Sequence, residues 1–185
     1  MPIAPRPVTA LRSLLLCLAV LVAGGPAARA ADPAPDFRPV ALAPLAHQAA
    51  MLRVVGPAGA AEYGPQELER FPTYALTTTT PWRDAPARFE GILLADLLAA
   101  HGLSGAPAIE VLAENDFATV IERQAMETGA FLIATRVDGA PHSRRARGPI
   151  QLVVPDRLYD ALGPLRERHL VWMVKEIRLP AAPGG

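Results

Sequence analysis

The chain has 185 residues, and its 18 Lys and Arg balance 18 Asp and Glu. All the acidic residues follow residue 30, so loss of Arg6, Arg12 and Arg29 with the leader described next leaves 15 basic residues against 18 acidic ones, a net charge of −3. That balance provides no basic field for nucleic acid or an anionic membrane surface, and with one lysine (Lys175) among abundant Ala and Pro, the arginine usage reflects genomic base composition.

Residues 1–30 have the three parts of a secretory signal peptide. Arg6 and Arg12 form a basic start, Leu14 to Val22 an apolar run, and Ala28-Arg29-Ala30 a small-residue cleavage site. The apolar run is well short of the ~20 residues that span a bilayer. The expected product is periplasmic or secreted, cleaved near Ala30, and not inserted in a membrane. Cys17 lies inside the apolar run and leaves with it, so the predicted mature chain has no cysteine. Disulfides, thiol catalysis and thiolate metal ligation are thereby excluded for it. Its length suits one domain with one packed core.

Residues 31–50 carry four prolines and no clean period, which predicts a flexible or polyproline-like arm. The domain proper is expected over 51–180, with 181–185 as a tail. Met51 to Val55 reads as a strand ended by Gly56-Pro57 and Gly59. Pro65 opens a short helix to Arg70. Tyr74 to Thr80 is extended, because threonine is β-branched and Pro81 stops the strand. A turn follows, then Phe89-Glu90-Gly91 opens an apolar helix, Ile92 to Ala100, closed by His101-Gly102. Ala108 to Leu112 and Phe117 to Ile121 form a hairpin, and Glu122 to Thr128 a short helix. Phe131 to Val137 is an apolar strand ended by the tight-turn pair Asp138-Gly139. The polar segment 141–149 precedes a buried strand, Ile150 to Val154. Leu158 to Arg168 is a helix or irregular turn, and Leu170 to Leu179 the final strand. About seven strands and three or four short helices without a βαβ rhythm predict an α+β domain with one mixed β-sheet.

From Tyr63 onward the pattern resembles the molybdopterin-binding domain of the sulfite oxidase family, including exported bacterial members. The landmarks are the strand ending at Trp82, Phe89 to Leu98, Asn115-Asp116-Phe117, Leu132 to Gly139, Gly148 to Pro155 and Val171 to Ile177. The resemblance implies a sulfite-oxidase-type molybdopterin-binding fold, with molybdopterin as the cofactor to consider. Catalytic members carry a molybdenum-ligating cysteine four residues ahead of the tryptophan, and Thr78 occupies that place here. A neutral hydroxyl is a poor replacement for a soft thiolate. The closest likeness is therefore to small exported members that lack this cysteine.

The candidate ligand-binding residues are Thr78, Trp82, Asp116, Arg136, His142, Arg144 and Arg147. The threonines fill strand positions or line a pocket, Thr78 foremost, and Trp82 is a core plug or a stacking wall. The arginines after His142 suit an anion through bidentate contacts, or form a solvated loop. Arg136 and Asp116 are candidates for an ion pair at one end of the sheet. His47, His101, His142 and His169 are scattered without metal-ligand spacing, and His101 suits a helix C-terminus better than a base. Ser104 and Ser143, the serines after the leader, lack a nucleophile elbow. The expectation is an exported, non-catalytic binding or sensory module whose ligand is a pterin, an oxyanion or a periplasmic or membrane protein. The alternative is a molybdopterin-dependent oxidoreductase with a cysteine-free molybdenum site.

Overall fold

The structure, a computed structural model, describes residues 36–49, 51–158 and 167–181. The leader and the first part of the arm lie outside the described residues, as does most of the segment read as a helix or turn between Leu158 and Arg168. Eleven strands and three short helices are described, in an α+β domain. They form two sheets where the sequence predicts one.

The first sheet takes β1 (Arg38–Pro39), β4 (Thr73–Thr78), β5 (Ala87–Leu93), β8 (Leu132–Val137) and β10 (Gln151–Val153) side by side, and β9 (Ala140–Pro141) also pairs with β8. Every pair in it is antiparallel. The second sheet runs β3 (Gly59–Tyr63), β2 (Leu52–Gly56), β11 (Val174–Arg178), β6 (Ala108–Ala113) and β7 (Ala118–Glu122). Only β2 and β11 pair in parallel. The apolar core is continuous from Leu52 and Val54 of β2 through Phe89 and Ile92 of β5 to Leu132, Ile133 and Leu152. Among the described residues no helix is long and apolar enough to cross a membrane.

Four departures from the sequence reading have identifiable causes. Phe89-Glu90-Gly91 continues β5 rather than opening a helix. Residues 87–92 pair with β4 on one side and residues 89–93 with β8 on the other, so tertiary pairing overrides the helical spacing. After the single-turn helix α1 (Pro65–Leu68), the next helix, α2, begins only at Leu94 and runs to Ala100. The stop at Gly56-Pro57 is a hairpin turn, and the weakly apolar GAAEY stretch returns as β3. The final strand is shorter than predicted, because Trp172 makes only an isolated bridge to Gln151 before β11 begins at Val174. The described part of the arm, 36–49, is tied down. Phe37 is buried, β1 pairs with β4, Thr73 exchanges hydrogen bonds with Val40, and Asp36 meets Arg157 at 2.5 Å.

Other local signals hold. The Asp138-Gly139 pair sits at φ 51° and 79°, the positive values that a tight two-residue hairpin turn needs. Helix α2 ends with Gly102 at φ 68°, the Gly102 N–H donating to Ala99 O at 3.2 Å and the Leu103 N–H to Leu98 O at 2.8 Å. That is a Schellman closure, and glycine carries its left-handed residue without strain. His101 is the C-cap, and its Nε2 lies 2.8 Å from the Tyr63 hydroxyl.

Candidate functional site

Thr78 ends β4 fully buried. Its hydroxyl lies 2.8 Å from Val154 O and 2.9 Å from Asp156 Oδ1, and the same carboxylate oxygen accepts from the Thr79 N–H and hydroxyl. Asp156 thus gathers the end of β4 against the segment after β10. The single Thr78 proton goes to one or other of these two acceptors, so the buried hydroxyl has no proton left to donate to a ligand.

Two residues further on, the chain opens into a cleft of about 640 Å³ lined by Thr80, Trp82, Arg83, Asp84, Arg144, Arg145, Arg147, Gln151 and Trp172. The Arg147 guanidinium carbon lies 4.9 Å from the Trp82 ring centroid and 5.2 Å from that of Trp172. Contact with two indole faces is favourable for a cation and fixes a long side chain that solvent would leave mobile. A smaller cavity of about 290 Å³ shares both indoles as its wall and reaches Asn115, Phe117 and Leu170.

Local sequence explains how Arg147 gets there. Ser143 caps a single 3₁₀ turn, Arg144–Ala146, its hydroxyl accepting from the Ala146 N–H at 3.3 Å. Arg147 follows at φ 75°, in the left-handed region, and its carbonyl accepts from the N–H of Met173, itself at φ 52°. Non-glycine residues held at positive φ cost energy that neighbouring contacts must offset. Gly148 must be a glycine for room, since a Cβ there would lie 2.3 Å from His142 O and 2.7 Å from the His142 ring. The polar loop is therefore wrapped closely around His142.

His142 is buried behind the cleft, with Nε2 2.8 Å from Gln151 Oε1 and an edge contact to Phe89. Burial pushes its pKa below the ordinary histidine value; the Gln151 hydrogen bond opposes that shift and the charge of Arg83 adds to it. The imidazole is neutral near pH 7 on both counts. Arg144 makes a two-pronged pair with Glu114, and Arg83 lies 3.4 Å from Asp138. Arg145 and Arg147 have no acidic partner among the described residues.

The seven predicted residues thus separate. Trp82, Arg144 and Arg147 line the cleft, and His142 stands one residue behind it. Thr78 is a structural donor. The proposed Arg136–Asp116 pair does not form. Arg136 is buried against Glu69, with Nε 2.9 Å from Oε1 and Nη2 2.6 Å from Oε2, and it also donates to Ala43 O in the arm. Asp116 sits exposed in the β6–β7 turn at φ 65°, 2.8 Å from Lys175 Nζ, which holds its carboxyl below the usual range. A bulge in the β5–β8 pairing explains the first of these partners. Glu90 faces Arg136 and Gly91 faces Ala134, so Thr135 is the extra residue. Thr135 and Arg136 are consecutive, yet both reach Glu69 Oε1, at 2.7 and 2.9 Å. Strict alternation along a strand would send them to opposite faces.

The sequence reading missed Gln151 and Trp172 as cleft residues and, within the threonine run, put Thr78 ahead of Thr80, which is the one that lines the cleft. Parity gave a usable signal for Thr80, which shares a face with Thr78 but lies beyond the strand end. Trp172 and Gln151 meet only through the Gln151–Trp172 bridge, a contact between segments that no local pattern announces. A larger cavity of about 930 Å³ lies along β7, lined by Phe117, Val120, Leu158 and His169, and holds none of the predicted residues.

No family model matches the chain, and no curated protein does. Among solved structures the fold is similar to the sulfane dehydrogenase SoxCD from Paracoccus pantotrophus, with a TM-score of 0.53 and 16% sequence identity over 69% of this chain. The chain spans 37% of the length of that protein. The likeness shows a fold shared with that dehydrogenase, in line with the α+β class expected from the sequence.

A molybdenum site of the kind the resemblance implies is a poor fit to these residues. The one cysteine, Cys17, lies outside the described residues, and Thr78 at the corresponding place spends its hydroxyl on Val154 and Asp156. Among the described residues no group of three His, Cys, Asp or Glu side chains is placed to hold a metal ion.

Proposed function

We propose that the chain is an exported, non-catalytic binding module on an oxidoreductase-type molybdopterin-binding fold, and that its ligand is a small anion, an oxyanion before a pterin. The observation that carries this reading is the cleft itself: Arg147 held against Trp82 and Trp172 without a carboxylate partner, beside an equally unpaired Arg145. A guanidinium fixed in advance loses little freedom on binding, and arginine suits the planar, multi-acceptor faces of oxyanions. The committed hydroxyl of Thr78 speaks against the alternative, a molybdopterin-dependent oxidoreductase in which Thr78 or a water replaces sulfur. Export rests on the leader sequence alone.

Two measurements on one preparation test the reading. The protein is purified from a host that makes the molybdenum cofactor, then assayed for metal and pterin. Inorganic sulfate and phosphate are titrated while tryptophan emission is followed. The chain has two tryptophans, and both line the cleft, so the emission reports on it directly. The expected result is a saturable change in emission with no stoichiometric molybdenum. Stoichiometric molybdenum with pterin would replace this reading with the oxidoreductase one.

A further inference from the structure

Gln151 is 2% exposed, sits at the start of β10 and lines the cleft. Its Oε1 is 2.8 Å from His142 Nε2, while no described residue takes the amide nitrogen. His142 is equally deep, and its Nδ1 is sealed from solvent with no partner among the described residues. Two arrangements satisfy the one short contact. Either the His142 Nε2–H donates to Gln151 Oε1 and Nδ1 is a bare lone pair, or the amide N–H donates to Nε2 and Nδ1 carries a buried proton with no acceptor. An orphaned buried N–H donor is the rarer and costlier defect. The first arrangement is therefore favoured, and it turns the Gln151 NH₂ toward the cleft.

We infer that Gln151 is a ligand-binding residue that donates its amide N–H groups to an oxyanion in the cleft, and that His142 is the positioning residue that fixes this orientation. The inference rests on the anion reading above and adds the floor of the site to it. Thr80 is 5% exposed, lines the same cleft, and has no hydrogen-bond partner for its hydroxyl among the described residues. Donors therefore come from two directions, neutral ones from Thr80 and Gln151 and cationic ones from Arg145 and Arg147. Such a surround suits a compact anion with several acceptor oxygens better than a neutral ring. The neutral His142 avoids placing a buried charge behind the site. Its role is to decide which end of the amide faces the ligand.

The test uses the full chain as purified, with inorganic sulfate and phosphate as probes and tryptophan emission as the signal. Gln151→Leu is expected to weaken binding roughly tenfold or more, the typical worth of a hydrogen bond to a charged group. Gln151→Glu, nearly the same shape, is expected to abolish it, because a carboxylate would face the anion. Nitrogen-15 NMR of wild-type His142 at neutral pH is expected to show the proton on Nε2, a readout that needs no variant and stands even if the Gln151 variants do not fold. A proton on Nδ1, or Gln151→Leu binding as wild type, would overturn the proposal while leaving the anion reading intact. Failure of the wild type to bind either anion would overturn both.

Discussion

Arg136 and Arg147 are both buried in part, both were candidates for the same site, and they do opposite things. Arg136 is sealed against Glu69 with matched hydrogen bonds, and Thr135 and the arm carbonyl of Ala43 complete its surroundings. Its charge there is answered by the Glu69 carboxylate, which meets both Nε and Nη2. Arg147 instead rests on two indoles, contacts that hold the guanidinium without neutralising it. A buried arginine is therefore a sign of function only when its charge is left unanswered; burial itself decides nothing. The threonines repeat the contrast two residues apart, Thr78 committed to Val154 and Asp156, Thr80 open to the cleft.

The contrast can be broken most forcefully at Glu69. Glu69→Ala strips Arg136, whose side chain is only 8% exposed, of its hydrogen-bonded carboxylate and leaves it only the charge of Glu90, and is expected to cost about 3–5 kcal/mol of stability. Denaturant unfolding measures this, and anion affinity of the folded fraction is expected to be unchanged. Next in size is Thr78→Val, which removes the one proton shared between Val154 O and Asp156 and is expected to cost about 1–3 kcal/mol, again without effect on the cleft. A loss of anion binding in Thr78→Val would restore the hydroxyl to the site and undo the division drawn between the two threonines.

A smaller effect is expected from pH. Burial lowers the pKa of His101, His142 and His169. Each binds a proton more readily in the unfolded chain, so its contribution is intact above about pH 6.5 and is lost as pH falls below that value toward the folded-state pKa. Thermal unfolding across this range is expected to show a midpoint that declines with acidity. Asp96, whose carboxyl burial pushes up, acts in the opposite sense at lower pH. The smallest effect on stability is expected at Arg147→Gly. Glycine relieves a left-handed backbone worth about 1–2 kcal/mol while two cation–indole contacts of about 0.5–1 kcal/mol each are lost, so the terms nearly cancel. Anion affinity is nevertheless expected to fall by roughly tenfold or more in the emission titration. Large loss of stability without loss of binding at residue 69, and the reverse at residue 147, would be the clean form of the comparison.

Punctuation and strand composition were legible in the sequence: the Asp138-Gly139 turn, the Gly102 helix end, the β6–β7 hairpin and the apolar strands all stand near where local chemistry puts them. The polar loop after His142 was legible as an anion candidate because three arginines stand within four residues. What local chemistry does not contain is partnership. The helical spacing of Phe89 to Leu93 yields to two flanking strands, and the partner of Arg136 depends on a one-residue bulge at Thr135. Gln151 and Trp172 join the cleft through a contact across 21 positions of chain. Splitting of one predicted sheet into two has the same origin, because composition marks strands but not which strands share a ladder.

The second sheet has a consequence for the order in which the domain can form. Its middle strand, β11, follows every other described strand in the chain, yet it is the piece that joins β2–β3 to β6–β7. Arg53 on β2 and Glu176 on β11 meet across 123 positions of sequence. As the chain emerges N-terminus first, the two hairpins stand as separate, half-exposed pairs until residues 174–178 are available to insert between them. Assembly is then a late, single closure rather than a progressive one, and a chain interrupted before Val174 would hold two hairpins with nothing to make them one sheet.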